Sequence, residues 1–207
     1  MVDENFNLVK DLLTQEEYDF LKSEIFSETM EKSAEYLYVN KNNIIKASST
    51  PRPISKSMYN YKYLTGSSIK DLVTDIAERY GFNDFQACLV GYTKPNSVLN
   101  WHHDPNMRHF IFNIPIALDP PCNRYVEYQN GAIYRYTGPH LANSTPLHRA
   151  WTDPDKTSAL IQITGYFNYI EKVKEWEERG LLLPEDEQTA MIMPPTMHDG
   201  RQYIDRN

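Results

Sequence analysis

The sequence predicts an α+β fold, with helices laid on one side of an antiparallel β-sandwich. Three observations carry this. Two windows near the start repeat apolar side chains at helical spacing. From residue 85 the period switches to that of strands. The chain also holds 15 Tyr within 13% aromatic content, and aromatic residues favour pleated, half-buried surfaces. Two helices followed by five or six strands is the α+β order.

The chain has 207 residues with 41% hydrophobic content, enough for one domain with a real core. Its 28 acidic and 21 basic residues leave a net charge of -7. That balance gives no general electrostatic footprint for nucleic acid, so duplex nucleic acid is not an expected partner. Cys88 and Cys122 cannot make a disulfide framework, and they read as reduced thiols of a cytoplasmic protein. Met1 to Asn5 is polar and acidic, without the basic-then-apolar profile of a signal peptide. No apolar run reaches the length of a membrane span, so no membrane partner is expected.

Taken in order, residues 1–13 read as a short strand or lead-in around Phe6, Leu8 and Val9. Thr14-Gln15-Glu16-Glu17 fits a capping box, in which Thr and Glu satisfy each other's orphan amides. Tyr18, Leu21, Ile25 and Phe26 then place a helix at about 14–28. Tyr36 to Val39 reads as a strand, Asn40 to Asn43 as a turn, and Ser48 to Ser57 as a loop. A second helix runs over about 67–80, with Ser67 or Ser68 as its cap. Ile69, Leu72, Val73, Ile76 and Ala77 form its stripe, and Gly81 is its left-handed stop. Phe85 to Tyr92 reads as a buried strand, Thr93 to Ser97 as a turn, and His109 to Ile116 as another strand. Arg124 to Tyr136 is a hairpin, whose Asn130-Gly131 suits a type I′ turn. Gly138 to Pro146 reads as a loop, Thr157 to Tyr169 as the last strong strand, and 170–180 as a charged helix ending at Gly180. The tail from Leu181 is Pro-rich and acidic, and reads as a loose extension.

Chemistry concentrates at Trp101-His102-His103-Asp104. On an extended segment side chains alternate faces, so His102 and Asp104 point one way and His103 the other. One further His from a distant strand completes a two-His-one-carboxylate face. That set suits non-haem Fe(II), because three ligands on one side leave the other positions open. Of the remaining histidines, His109 begins an apolar strand and His198 lies in the tail. His140 sits in a Gly-Pro loop, where a solvated ring is expected. His148 lies 44 residues after Asp104, room for one hairpin and a return, and is the favoured third ligand.

The segment from about 87 to 168 resembles the 2-oxoglutarate/Fe(II)-dependent dioxygenase superfamily. It looks closest to its aspartyl/asparaginyl β-hydroxylase-like and phage-type members. Cys88 to Pro95 looks like the strand and turn before the metal motif, and His102-His103-Asp104 like the His-x-Asp/Glu motif. Phe112 to Ile116 looks like the following strand, and Leu147-His148-Arg149-Ala150 like the segment with the distal His. The resemblance implies a double-stranded β-helix, or jelly roll, with a metal at one mouth. It implies a single oxygenase-like domain over 1–180, with core strands at about 85–169 and an extension over 181–207. It implies Fe(II) held by His102, Asp104 and His148, 2-oxoglutarate as cofactor, and O2 as co-substrate.

One position departs from the pattern. The superfamily usually carries an Arg or Lys about ten residues after the distal His, pairing with the far carboxylate of 2-oxoglutarate. In this chain the tenth residue after His148 is Ser158, which has no charge. Lys156 is close but off register, Arg149 follows His148 directly, and Arg108 lies beside the first motif. Ser158 can still hydrogen-bond the co-substrate beside one of these cations. Tyr92, Tyr134 and Tyr136 lie on predicted strands, either packing or donating to a carboxylate. Asn113 interrupts an apolar strand, and a buried amide needs partners, so it is a further candidate for co-substrate contact. Trp101 either flanks the site or covers the sheet.

The leading expectation is therefore an Fe(II)/2-oxoglutarate-dependent oxygenase. It would hydroxylate an unidentified protein side chain, amino acid or small molecule. The alternative is a non-catalytic jelly-roll binding domain with a vestigial metal site, supported by the uncharged Ser158. A metal-dependent hydrolase or isomerase on the same ligands ranks last, because the motif segment shows no additional general base.

Overall fold

The computed structural model describes residues 2–26, 37–40, 43–46, 60–61, 67–83, 85–92, 98–104, 110–118, 122, 124–152, 158–165 and 168–195. The first elements are β1 (Phe6–Leu8), α1 (Gln15–Ile25), β2 (Leu37–Asn40), β3 (Asn43–Lys46), β4 (Asn60–Tyr61) and α2 (Ser67–Arg79). Then come β5 (Gln86–Tyr92), β6 (Val98–His102), β7 (Phe110–Ala117), β8 (Arg124–Tyr128) and β9 (Ile133–Arg135). The chain continues with β10 (His140–Asn143), β11 (His148–Thr152), β12 (Ser158–Gly165), α3 (Tyr169–Glu178), a short 3₁₀ turn and β13 (Met191–Met193).

Among the described residues all the strand pairings are antiparallel. They form two sheets. The larger has eight strands in the order β1-β10-β7-β12-β5-β2-β3, with β4 also on β5; the smaller has five, β13-β9-β8-β11-β6. Mostly antiparallel sheets with few helices are compatible with a sandwich of the jelly-roll kind.

Burial follows the pleat. On β7 and β12, Phe112, Ile114, Ile116, Ala159, Ile161 and Ile163 share one apolar cluster with the helices. Leu21 and Ile25 of α1, Val73 and Ile76 of α2, and Val173 and Trp176 of α3 fill the other side of that cluster. The larger sheet thus carries the helices on one face, as the periodicity predicts. Its other face meets the smaller sheet. There Phe6, Leu8, Ala142 and Leu160 pack with Val126, Tyr128 and Tyr134. Strand β8 reads buried at Arg124, Val126 and Tyr128 and half-buried between, so those three point inward.

Local chemistry sets the boundaries. Thr14 and Glu17 make the capping box, with Thr14 N–H donating to Glu17 at 2.8 Å and Glu17 N–H to Thr14 at 3.2 Å. Gly81 at φ +82° ends the turn after α2, and Gly180 at φ +66° follows α3. The hairpin closes differently from the type I′ expectation. Gly131 N–H donates to the Tyr128 carbonyl and Tyr128 N–H to the Ala132 carbonyl. Gly131, at φ +83°, thus follows a turn in the manner of a bulged loop.

Three further expectations need correction. The Gly138–Pro146 segment is not all loop, because β10 runs through it and pairs with β1 and β7. Asn43 belongs to strand β3, which the sequence analysis did not anticipate. The described part of the tail is not loose. Leu181 and Ala190 are buried, Leu181 accepts from Lys10 N–H at 2.7 Å, and Gln188 exchanges bonds of 2.7 and 2.9 Å with Leu8. The expected loop at 48–57, the turn at 93–97, and His109 and His198 lie outside the described residues.

Candidate metal centre

Strand β6 ends at His102, and β11 begins at His148. The two strands pair, with His148 opposite His102, so their rings meet at 4.3 Å between centroids. Asp104 follows the end of β6, and its N–H donates to the Ser144 carbonyl at 3.3 Å. The ligand atoms of His102, Asp104 and His148 all lie within 4.8 Å of one another, a cluster that could hold a metal ion. His103 points away. It is exposed, and its Nδ1 meets the Thr145 carbonyl at 3.0 Å, as strand alternation requires.

The donor chemistry fits a cation. His148 is 8% exposed, and its Nδ1–H donates to the Pro146 carbonyl at 2.9 Å. That bond sets the tautomer and leaves Nε2 as a lone-pair donor facing the cluster. Asp104 Oδ1 lies 3.8 Å from His102 Nε2. Asp104 Oδ2 is buried with no hydrogen-bond partner among the described residues. A buried carboxylate oxygen is costly unless a cation meets it.

His140 is not solvated. It is fully buried on β10, stacked on Phe6 and tilted against Tyr136, with centroids 4.3 Å from each. Burial, against the raising effect of its Gly138 bond and with the field of Arg124, pushes its pKa down to about 3. The ring is therefore neutral. Its Nδ1–H donates to the Gly138 carbonyl at 2.8 Å, and its Nε2 accepts from Asn113 Nδ2 at 3.1 Å. Asn113 is 2% exposed and lies across from His140 on β7 and from Gln162 on β12. Its Oδ1 is buried with no partner among the described residues.

In comparisons with known proteins, no family model matches the sequence, and no curated protein does. A search by structure returns a crystal structure of a prolyl-4-hydroxylase from Pseudomonas putida. The likeness has a TM-score of 0.48 and 11% identity, covering 79% of this chain and 94% of that chain.

The other expected site residues fall in different places. Ser158 is buried at the start of β12 and accepts from Arg124 Nε at 2.9 Å. Tyr92 pairs with Ser158 through the backbone, and its side chain lies outside what is described. Arg108 and Lys156 also lie outside the described residues. Arg149 is not a solvated charge. It grips Glu127 through Nε at 2.6 Å, with its guanidinium 5.0 Å from the Trp101 ring and 5.7 Å from Trp151. Trp101 and Arg149 thus cover the outer face of the smaller sheet. Tyr134 does donate to a carboxylate, but to that of Asp3, at 2.8 and 2.9 Å.

Sequence reasoning missed Arg124. It is 1% exposed, at the inward start of β8. Its place after Pro120 and Pro121 reads as a hairpin edge, so its burial could not be read from the sequence.

Proposed function

We propose that this protein is a non-haem Fe(II), 2-oxoglutarate-dependent oxygenase that hydroxylates a protein side chain, amino acid or small molecule. One observation carries the reading. Two imidazoles and a carboxylate whose buried oxygen has no hydrogen-bond partner among the described residues converge at the end of two paired strands. In this reading β10-β7-β12-β5 and β9-β8-β11-β6 are the two four-stranded halves of a double-stranded β-helix. The domain covers 1–180, with residues 181–195 of the tail packed onto it.

His102, Asp104 and His148 would hold the metal. Fe(II) held there together with 2-oxoglutarate would supply the oxidation of a C–H bond by O2, with 2-oxoglutarate lost as succinate and CO2. The protein's own part is positioning. The Pro146 carbonyl fixes the His148 tautomer, and the buried face excludes water from the third ligand. Asn113 and Ser158 would contact the co-substrate from the larger sheet, while Tyr92, Arg108 and Lys156 remain candidates on sequence grounds alone.

The test is anaerobic titration of metal-free protein with Fe(II) and 2-oxoglutarate. A weak visible charge-transfer band is expected when such a triad holds iron together with a 2-oxo acid. The band should vanish in His148→Ala and persist in His140→Ala. Iron bound without a band would favour the non-catalytic binding domain, and no iron bound would overturn the reading.

A further inference from the structure

A one-residue irregularity decides which way His102 points. Along β6 and β11 the ladder opposes Val98 to Trp151 and Leu99 to Ala150. Continued regularly, that count sets Asn100 against Arg149 and Trp101 against His148. Instead His102 stands against His148, because the register shifts between His148 and Ala150. Asn100 and Trp101 together oppose Arg149 alone, which makes a β-bulge with its extra residue on β6.

The consequence follows from the two-residue period of a strand. Residues directly opposite share a face, and a slip of one residue sends side chains to the other face. In the regular ladder Trp101 would take the inward place opposite His148, and His102 would face outward, away from the cluster. With the bulge, Trp101 lies on the outer face against Arg149, while the His102 ring meets the His148 ring at 4.3 Å. The bulge thus brings the two imidazoles to one side.

A bulge leaves a residue out of the ladder, and β6 is an edge strand, paired among the described residues with β11 alone. Its register is therefore secured from one side only. The outer face supplies a clamp. Arg149 lies opposite Glu127 of β8, and its Nε and Nη2 both donate to Glu127 Oε2, at 2.6 and 2.5 Å. With its fork fixed there, the guanidinium lies 5.0 Å from the Trp101 ring and 5.7 Å from the Trp151 ring. Trp151 is itself stacked on Tyr125 of β8, at 5.4 Å between centroids and 16° between planes. The contacts therefore run across three strands, from β8 through β11 to Trp101 on the edge. A guanidinium suits this place, because it can bond a carboxylate and lie against aromatic rings at once.

We infer that Arg149, pinned by Glu127 and laid against Trp101, is a positioning residue for the metal face: it holds the β6 bulge that keeps His102 beside His148. This rests on reading that face as a metal site, and on nothing about the co-substrate. Trp101 precedes one proposed ligand and Arg149 follows another, so a contact on the outer face of the sheet sets the geometry of the inner one.

The test uses the whole chain with Mn(II), reading affinity by calorimetry and stability by urea unfolding in chelator. Arg149→Met keeps the length of the side chain but loses the charge and the fork. Its Mn(II) affinity should fall about 10- to 100-fold, the range usual for groups that orient metal ligands. Trp101→Leu should lose a similar amount, and the two changes together little more than either alone. Arg149→Lys keeps a cation without the fork and should fall between. Deletion of Asn100 separates positioning from support. It removes the extra residue, so a regular ladder by itself sets Trp101 against Arg149 and His102 against His148. In that shortened chain Arg149→Met should leave Mn(II) affinity unchanged while still lowering stability. The full-length comparison stands whether or not the shortened chain folds. If Arg149→Met costs stability but no affinity there, or costs the same affinity with Asn100 deleted, Arg149 is only a surface tie and the inference falls, with Mn(II) binding by the unaltered chain keeping the metal reading intact. Failure of the unaltered chain to bind Mn(II) would remove both.

Discussion

A neutral imidazole at position 140 fixes the amide of Asn113, and its environment has a consequence for stability. The folded pKa of His140 is lowered to about 3, against an ordinary value near 6.5, first of all by burial. A depressed folded pKa means the unfolded chain binds the proton first. The stability His140 allows is present above about pH 6.5 and is lost as pH falls toward 3. Its share of the acid slope is about 1.4 kcal/mol per pH unit. His140→Gln, which cannot titrate, should therefore lose its disadvantage against the unaltered chain by that amount per unit below pH 6.5. Urea unfolding at pH 7, 5.5 and 4.5 measures it, and a constant difference would refute the assignment. Asp104 is tested through the metal instead. Its Oδ2 is buried with no hydrogen-bond partner among the described residues. Asp104→Asn should lower Mn(II) affinity, because the amide offers no anionic donor, and an unchanged affinity by calorimetry would show that this carboxylate is not a ligand.

At the scale of elements, α1 is held by a device in which one side chain serves twice. Glu17 closes the capping box on Thr14 and also receives Arg79 of α2 through both carboxylate oxygens, at 2.6 and 3.1 Å. Arg79 in turn holds the Glu17 carboxyl below its ordinary range. Thr14→Ala should cost about 1 kcal/mol, the usual worth of a cap. Glu17→Ala should cost more, roughly 2 kcal/mol, because it breaks cap and interhelical bond together. Thr14→Ala should add little on top of it, and a urea-unfolding double-mutant cycle checks this. That cap was legible from four consecutive residues, as were α2 and α3, because helices bury one periodic stripe and stop at glycine. Strand β10 was not legible. His140-Leu141-Ala142-Asn143 is flanked by Gly138-Pro139 and by Ser144-Thr145-Pro146, all turn formers. What makes it a strand is pairing with β1, which lies at the other end of the chain. Arg124 was hidden for a related reason. A charged residue at a strand start reads as surface, and only closure of the two sheets puts it inside. The His102-Asp104-His148 set was legible because strand alternation and one return strand suffice to assemble it.

For the molecule as a whole, the candidate metal centre sits where a bound ion would tie separate parts of the fold together. His102 ends β6, His148 begins β11, and Asp104 hangs from the end of β6 by its bond to Ser144, which follows β10 of the larger sheet. One ion on all three would join the edge strand β6 to its neighbour and link the smaller sheet to the larger. Such an ion binds the folded chain and not the unfolded one, so it must raise stability by mass action. At a hundredfold excess over its dissociation constant, Mn(II) should add about 2.7 kcal/mol. For a chain of this size that corresponds to a rise in Tm of roughly 5 to 11 °C. The rise should disappear in His148→Ala, where one donor is gone, and remain in His140→Ala once its own lower baseline is subtracted. Ca(II), which prefers six or more oxygen ligands, should give little rise on a site with two imidazoles. Scanning calorimetry with Mn(II), Ca(II) or chelator separates these cases. An equal shift with Ca(II), or a shift surviving in His148→Ala, would place the stabilising ion somewhere other than this centre.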